Sequence, residues 1–142
     1  MLLNGCPITW SSKLMHQVAL STMMAEYYAL SAAMKEVLPL LEVTKCVARG
    51  LGIDESVITD FKTTTWEDNM GCLILAQHEP GHNTVRSKFY DVRVHWFRQV
   101  LHQKDSGMSV EKIESEKQLA DIFTKITKPD TFRDLRLELM GW

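Results

Sequence analysis

The chain has 142 residues, of which 45% are hydrophobic and 24% charged, with a formal net charge of -2. That balance suits one globular domain with a real core. It excludes a disordered segment and a surface coated throughout with positive charge, so any nucleic-acid contact must be a local patch.

Three cysteines, Cys6, Cys46 and Cys72, are far apart and form no C-x-x-C pair. This is the pattern of free thiols in a reducing compartment, without a disulfide framework or a zinc knuckle. The opening MLLNGCPITW has no basic n-region and too short an apolar run for a signal peptide or membrane span. An intracellular chain with no membrane partner is the expectation.

Gly5 and Pro7 bracket a turn, after which Ile8 to Ser12 and Gln17 to Leu20 read as short strands of a hairpin joined through Lys13 to His16. A long helix follows from about Thr22 to Ala48, with Pro39 as a kink and Gly50 and Gly52 as stops. Glu26 shares a helical face with Leu30, Ala33, Val37 and Leu41, so its charge is expected on the buried side. A capping box does not explain it. With Ser21 or Thr22 as N-cap, the third helical position is Met24 or Ala25. A functional carboxylate is the working premise.

Phe61 to Glu67 is rich in β-branched and aromatic residues and reads as a buried strand closed by Asp68. Asn69 to Gln77 is a short helix, Glu79 to Asn83 a Pro-Gly loop, and Phe89 to His102 a helix. That helix buries Phe89, Val92, Trp96 and Val100 and presents a basic opposite side. Met108 to Ile113 is a last strand. Ser115 and Gln118 form a capping-box signature for a helix through Lys125, and Phe132 to Met140 an amphipathic helix. Helices and strands alternate after the hairpin, which predicts an α/β fold with a mixed sheet in one domain spanning residues 1–142.

Three features compete with ordinary explanations. His78, Glu79 and His82 spell H-E-x-x-H, but Pro80 and Gly81 are out of place in a helix, so a solvated loop without zinc is expected. Asp68 would serve as a helix N-cap in an inert protein, and Asp121 can pair with Lys125 one turn on. Between Gly81 and Lys104 lie Arg86, Lys88, Arg93, Arg98 and Lys104 against Asp91 alone, a basic patch that is either a solvated face or a phosphate contact.

WSSK, ALSTMMAEYYALSAAMKE, WEDN, SKFYDVRVHWFR and KQLADIFTK occur in this order. The series resembles the ribonuclease H domain of copia-type (Pseudoviridae) retrotransposon reverse transcriptase polyproteins and covers almost the whole chain. The resemblance implies a ribonuclease H-like mixed sheet flanked by helices, and hydrolysis of the RNA strand of an RNA/DNA hybrid. Glu26 matches the glutamate of the family's S-T-x-x-A-E-Y motif, Asp68 the aspartate of its D-N motif, and Asp121 that of Q-L-A-D-I-F-T-K. These would be the catalytic carboxylates and the ligands of two Mg²⁺ ions, with Mn²⁺ as substitute. Hard cations of this kind take oxygen ligands. Asn69, Arg86, Lys88 and Arg93 would hold the nucleic acid, phosphate contacts giving affinity without sequence preference. The implied partners are the hybrid and an upstream reverse transcriptase domain, and the implied location is a cytoplasmic virus-like particle or the nucleus. The family's fourth carboxylate lies on a first strand, whereas Met1 to Ala25 contain no Asp or Glu. The first strand is thus expected to be missing, through truncation or degeneration, and these residues alone are expected to be inactive. The alternative is a non-catalytic nucleic-acid-binding or interaction remnant of a retroelement.

Overall fold

The computed structural model describes residues 1–82, 94–104 and 106–142. In chain order the elements are β1 (Leu2–Leu3), β2 (Cys6–Pro7), α1 (Thr22–Gly50), α2 (Glu55–Thr59), β3 (Thr63–Glu67), α3 (Met70–Gln77), α4 (Phe97–Leu101), β4 (Met108–Lys112) and α5 (Pro129–Met140). The fold is α/β. Its backbone contacts form two compact units, Ala19–Lys112 and a second made of Met1–Val18 with Ile113–Trp142.

In the Ala19–Lys112 unit, α1 starts where the Ser21 hydroxyl accepts the Met24 N–H at 3.1 Å, satisfying one of the first-turn donors that a helix leaves over. It runs continuously through Pro39 to Gly50, and Gly52, at φ +75°, turns the chain away. The buried stripe of α1 is Met24, Tyr27, Tyr28, Leu30, Ser31 and Met34. This corrects the expected register. Ala33 is exposed and Glu26 half-buried, so Glu26 sits at the margin of the stripe and not along it.

Against that stripe pack Cys72, Leu73, Leu75 and Ala76 of α3, Val94 and Phe97 around α4, and Met108 and Val110 of β4. Burying side chains of this size contributes about 1.5 to 3 kcal/mol each, which makes this cluster the main stabilising feature of the unit. β3 and β4 are parallel, in register from Thr63 opposite Met108 to Glu67 opposite Lys112. Parallel neighbours need a long crossover, here the chain through α3 and α4. Gly107 leads into β4 at φ +61°, where a Cβ would come within 2.5 Å of the Phe61 carbonyl oxygen. Only glycine fits both the backbone angle and the approach.

The expected helix from Phe89 is α-helical only over Phe97–Leu101 among the described residues, and residues 83–93 lie outside them. Its basic side also needs correction. Arg98 is 1% exposed, because Nε donates to the Tyr27 hydroxyl at 2.9 Å and Nη1 to the His82 carbonyl at 2.9 Å. The hydroxyl, accepting from Arg98, also lies 2.8 Å from His95 Nδ1, within hydrogen-bond distance. Trp96, expected in the core, is half-buried with its indole N–H donating to Ser31 Oγ at 3.2 Å.

In the other unit, β1 and β2 form an antiparallel pair closed by Asn4 at φ +50° and Gly5 at φ +82°. Such left-handed pairs match the twist of a tight hairpin. The hairpin expected over Ile8–Ser12 and Gln17–Leu20 does not form: residues 8–20 carry no strand, and Trp10, Leu14, Val18 and Leu20 are exposed with no sheet face to cover them. Ser115 and Gln118 make no capping box. Two 3-10 turns, Ser115–Lys117 and Leu119–Phe123, stand instead of a helix, because Gln118 between them is extended at ψ 100°. α5 begins with Pro129 in its first turn and ends at Gly141 in the left-handed region. Leu135 is its buried residue, and the helix lies against β2 and the second 3-10 turn. Among the described residues no helix is long and apolar enough to cross a membrane.

Candidate functional site

The first turns of α1 and α3 meet. A Cβ on Gly71 would lie 2.8 Å from Met23 Sδ, so the missing side chain at Gly71 lets the two helix starts approach. Glu26 is one turn along α1 and Asp68 stands two residues before α3, so both flank the helix starts that approach one another. Their fields overlap at one buried atom. Burial foremost, then the charge and hydrogen bond of Glu67 and the charges of Glu26 and Asp68, push the Cys72 thiol far above its ordinary range. Cys72 is therefore an inert core thiol.

Glu67 was not singled out in the sequence. It is 5% exposed at the end of β3, with Oε1 accepting the Asn69 N–H at 2.8 Å. Burial, and to a lesser degree the charge of Asp68, raise its carboxyl above the usual range against the Asn69 amide, the Cys72 S–H and Lys112. Two consecutive carboxylates closing a strand, Glu67 and Asp68, were the available signal, since alternation turns one of them inward. Asp68 itself is half-buried, and its carbonyl oxygen accepts a hydrogen bond from Lys112 Nζ. The N-cap of α3 is Asn69, whose Oδ1 accepts the Cys72 N–H at 3.1 Å, so capping engages the Asn69 side chain and leaves Asp68 out of that role.

Asp121 belongs to the other unit, in the 3-10 turn Leu119–Phe123. Its carboxylate is paired with Lys125 Nζ at 2.8 Å, the i,i+4 contact anticipated as its ordinary role. Arg86, Lys88 and Arg93 lie outside the described residues.

Among the described residues no group of three or more His, Cys, Asp or Glu is arranged to hold a metal ion. The donor chemistry of Glu26 and Asp68 suits a hard cation, but this geometry does not by itself assemble a three-ligand site. α3 ends at Gln77, so His78, Glu79 and His82 lie on a turn, with Gly81 at φ +84°. The His78 and His82 rings stand 4.9 Å apart, tilted against one another. A cleft of about 350 Å³ is lined by Lys62, Thr64, Lys104, Ser106, Ser109 and Glu111 among others, and includes neither Glu26 nor Asp68.

The chain is homologous to part of a retrotransposon Pol polyprotein, which supports a retroelement-derived origin. The relative is the "Retrovirus-related Pol polyprotein from transposon TNT 1-94" of Nicotiana tabacum, 33% identical over 138 residues and 97% of this chain. The chain spans 9% of that polyprotein's length. No protein-family model and no solved structure gives a significant match.

Proposed function

We propose that the chain is a ribonuclease H-like segment of a copia-type retrotransposon Pol polyprotein, acting on the RNA strand of RNA/DNA hybrids in its complete form. The observation that carries this reading is the approach of the first turns of α1 and α3, which flank Glu26 and Asp68, in a chain similar over 97% of its length to a Pol polyprotein. Glu26 and Asp68 are the residues of the Ala19–Lys112 unit that would hold Mg²⁺ or Mn²⁺, and the same role for Asp121 rests on its motif alone. Bound there, such ions supply an activated water and stabilise the leaving oxygen. The chain's own part is to fix these carboxylates on rigid elements, α1 and the end of β3. Arg86, Lys88, Arg93 and Asn69 would grip the hybrid through its phosphates.

A second reading is a non-catalytic nucleic-acid-binding segment, favoured by the lack of a three-ligand metal group among the described residues. One assay separates the two. RNA/DNA hybrid is incubated with Mg²⁺ or Mn²⁺ and either the 142 residues alone or a chimera joined to the preceding segment of the tobacco polyprotein. We expect cleavage by the chimera, abolished by Asp68→Asn and Glu26→Gln, and little by the 142 residues alone. A chimera that binds hybrid without cutting it, with an affinity that falls as salt rises, overturns the nuclease reading in favour of the second.

A further inference from the structure

We propose that the cleft where β3 and β4 begin is an anion site that takes a phosphate group. It lies within the Ala19–Lys112 unit, lined by Lys62 and Thr64 on one strand and by Gln103, Lys104, Ser106 and Gly107 ahead of the other. The register of Thr63 opposite Met108 puts both strand starts at this end. Asp68 follows the opposite end of β3, about 17 Å away for five extended residues. The cleft is thus separate from Glu26 and Asp68, and the proposal stands without the nuclease reading.

The lining is rich in donors and short of acceptors. Among the described residues, the Lys104 ammonium, the Gln103 side-chain amide and the Gly107 N–H have no hydrogen-bond or ion-pair partner. Lys62 is 3.7 Å from Asp60, which is not part of the lining, and both side chains of that pair are exposed to water. Ser106 Oγ accepts the Met108 N–H at 3.3 Å and so keeps its own proton to donate. Glu111, the carboxylate of the lining among the described residues, accepts from Ser109 Oγ at 3.0 Å. A ligand that satisfies these donors must bring several oxygens and negative charge, which is the chemistry of a phosphate group. Gly107 has no side chain to shield its amide, and its φ of +61° keeps a larger residue from taking its place. The volume of about 350 Å³ leaves room for a sugar or nucleoside attached to the phosphate. A free phosphate compound and the phosphate of a nucleic-acid backbone carry this same chemistry.

Inorganic phosphate and adenosine monophosphate, titrated into the isotope-labelled 142-residue chain, test the site by NMR. Amide shifts should centre on Thr64, Gln103, Ser106 and Gly107, with a dissociation constant of about 1 mM, as suits exposed lysines. Lys62→Ala and Lys104→Ala should each weaken binding about 3- to 10-fold, and Lys104→Arg should keep it within about twofold. Lys35→Ala removes the same charge from the exposed side of α1 and should change the affinity less than about twofold. RNA/DNA hybrid then tells the source. If a nucleic-acid backbone fills the cleft, Lys104→Ala lowers the slope of log affinity against log salt by about 1. If a free compound fills it, that slope stays while phosphate and nucleotide binding fall; either result supports the anion site. Thermal melts confirm that the variants are folded. Shifts scattered over the chain, equal losses from Lys35→Ala and Lys104→Ala, or full binding by both cleft variants would overturn the proposal.

Discussion

The two units of the chain have similar proportions of apolar residues and use them differently. In Ala19–Lys112 the apolar side chains of α1, α3 and β4 close on one another, and the buried hydrophobic residues of the protein lie there with the exception of Leu135. In the unit of Met1–Val18 and Ile113–Trp142, Leu2, Ile8, Trp10, Leu14, Phe132 and Trp142 are exposed. Apolar content alone does not make a core; long elements with a matching face do. The one α-helix of that second unit, α5, contrasts with the 29-residue α1, and its two strands have two residues each. Buried groups with polar atoms follow the same division. The buried Glu67, Cys72 and Arg98 all belong to the packed unit.

The largest effect expected from this contrast is at glycine. Gly107→Ala forces a Cβ to within 2.5 Å of a backbone oxygen at positive φ, and should destabilise the packed unit by about 2 to 4 kcal/mol in urea denaturation. Gly5→Ala is also at positive φ but meets nothing within 4 Å, so it should cost only about 1 kcal/mol. Equal effects would mean that strain, and not packing, distinguishes the two positions.

The next effect is Tyr27→Phe. Removing a fully buried hydroxyl that joins Arg98 to His95 leaves both short of a partner, and the loss should be about 1 to 3 kcal/mol. Arg98 has little in reserve. Its Nη2 is buried with no hydrogen-bond partner among the described residues. A melting temperature unchanged by Tyr27→Phe would show that water or another group takes over the hydroxyl's place.

These features separate what sequence could reveal from what it could not. Strong local signals were readable: the β-branched run of β3, the Gly50 and Gly52 stop of α1, and the Pro-Gly turn after α3 all stand within a residue or two of expectation. Asn4 and Gly5 also carried a hairpin signal, which was passed over for the apolar run beyond it. That run, Ile8 to Leu20, alternates acceptably but lacks a sheet to join, and strands are decided by such non-local partners. The start of α1 stands at Thr22 as expected, but its buried stripe differs, because the face is set by Tyr27 and Met34 and not by Glu26. Of the candidate site, Glu26 and Asp68 were legible through motifs. Glu67 and Arg98 were not, since a charged residue is read as surface until packing contradicts it.

A pH series sharpens the comparison further. Burial raises the folded-state carboxyl of Glu67 above its ordinary value of 4.5, so the folded protein holds a proton there that the unfolded chain has released. The stability contributed by that proton is complete below 4.5 and is lost as pH rises through the folded value. Glu67→Gln removes this slope. Chemical denaturation should therefore show the variant gaining on the wild type as pH rises across that window, and parallel curves would show that the site is hydrated enough to titrate normally.

The smallest effect should come from Lys125→Met in the less packed unit, even though the ion pair it breaks measures 2.8 Å. The Lys125 side chain is 48% exposed, and solvent screens a pair so placed while ordering a long side chain opposes it. Asp121 keeps other means of support, since its carbonyl already accepts the Thr124 and Lys125 amides in the 3-10 turn. The expected loss is under about 1 kcal/mol, shrinking further in 1 M salt, where charges are screened within about 3 Å. A loss above about 2 kcal/mol, in the range of buried pairs and unaffected by salt, would place Asp121 in a dry, built environment and give this unit the same kind of packing as the other.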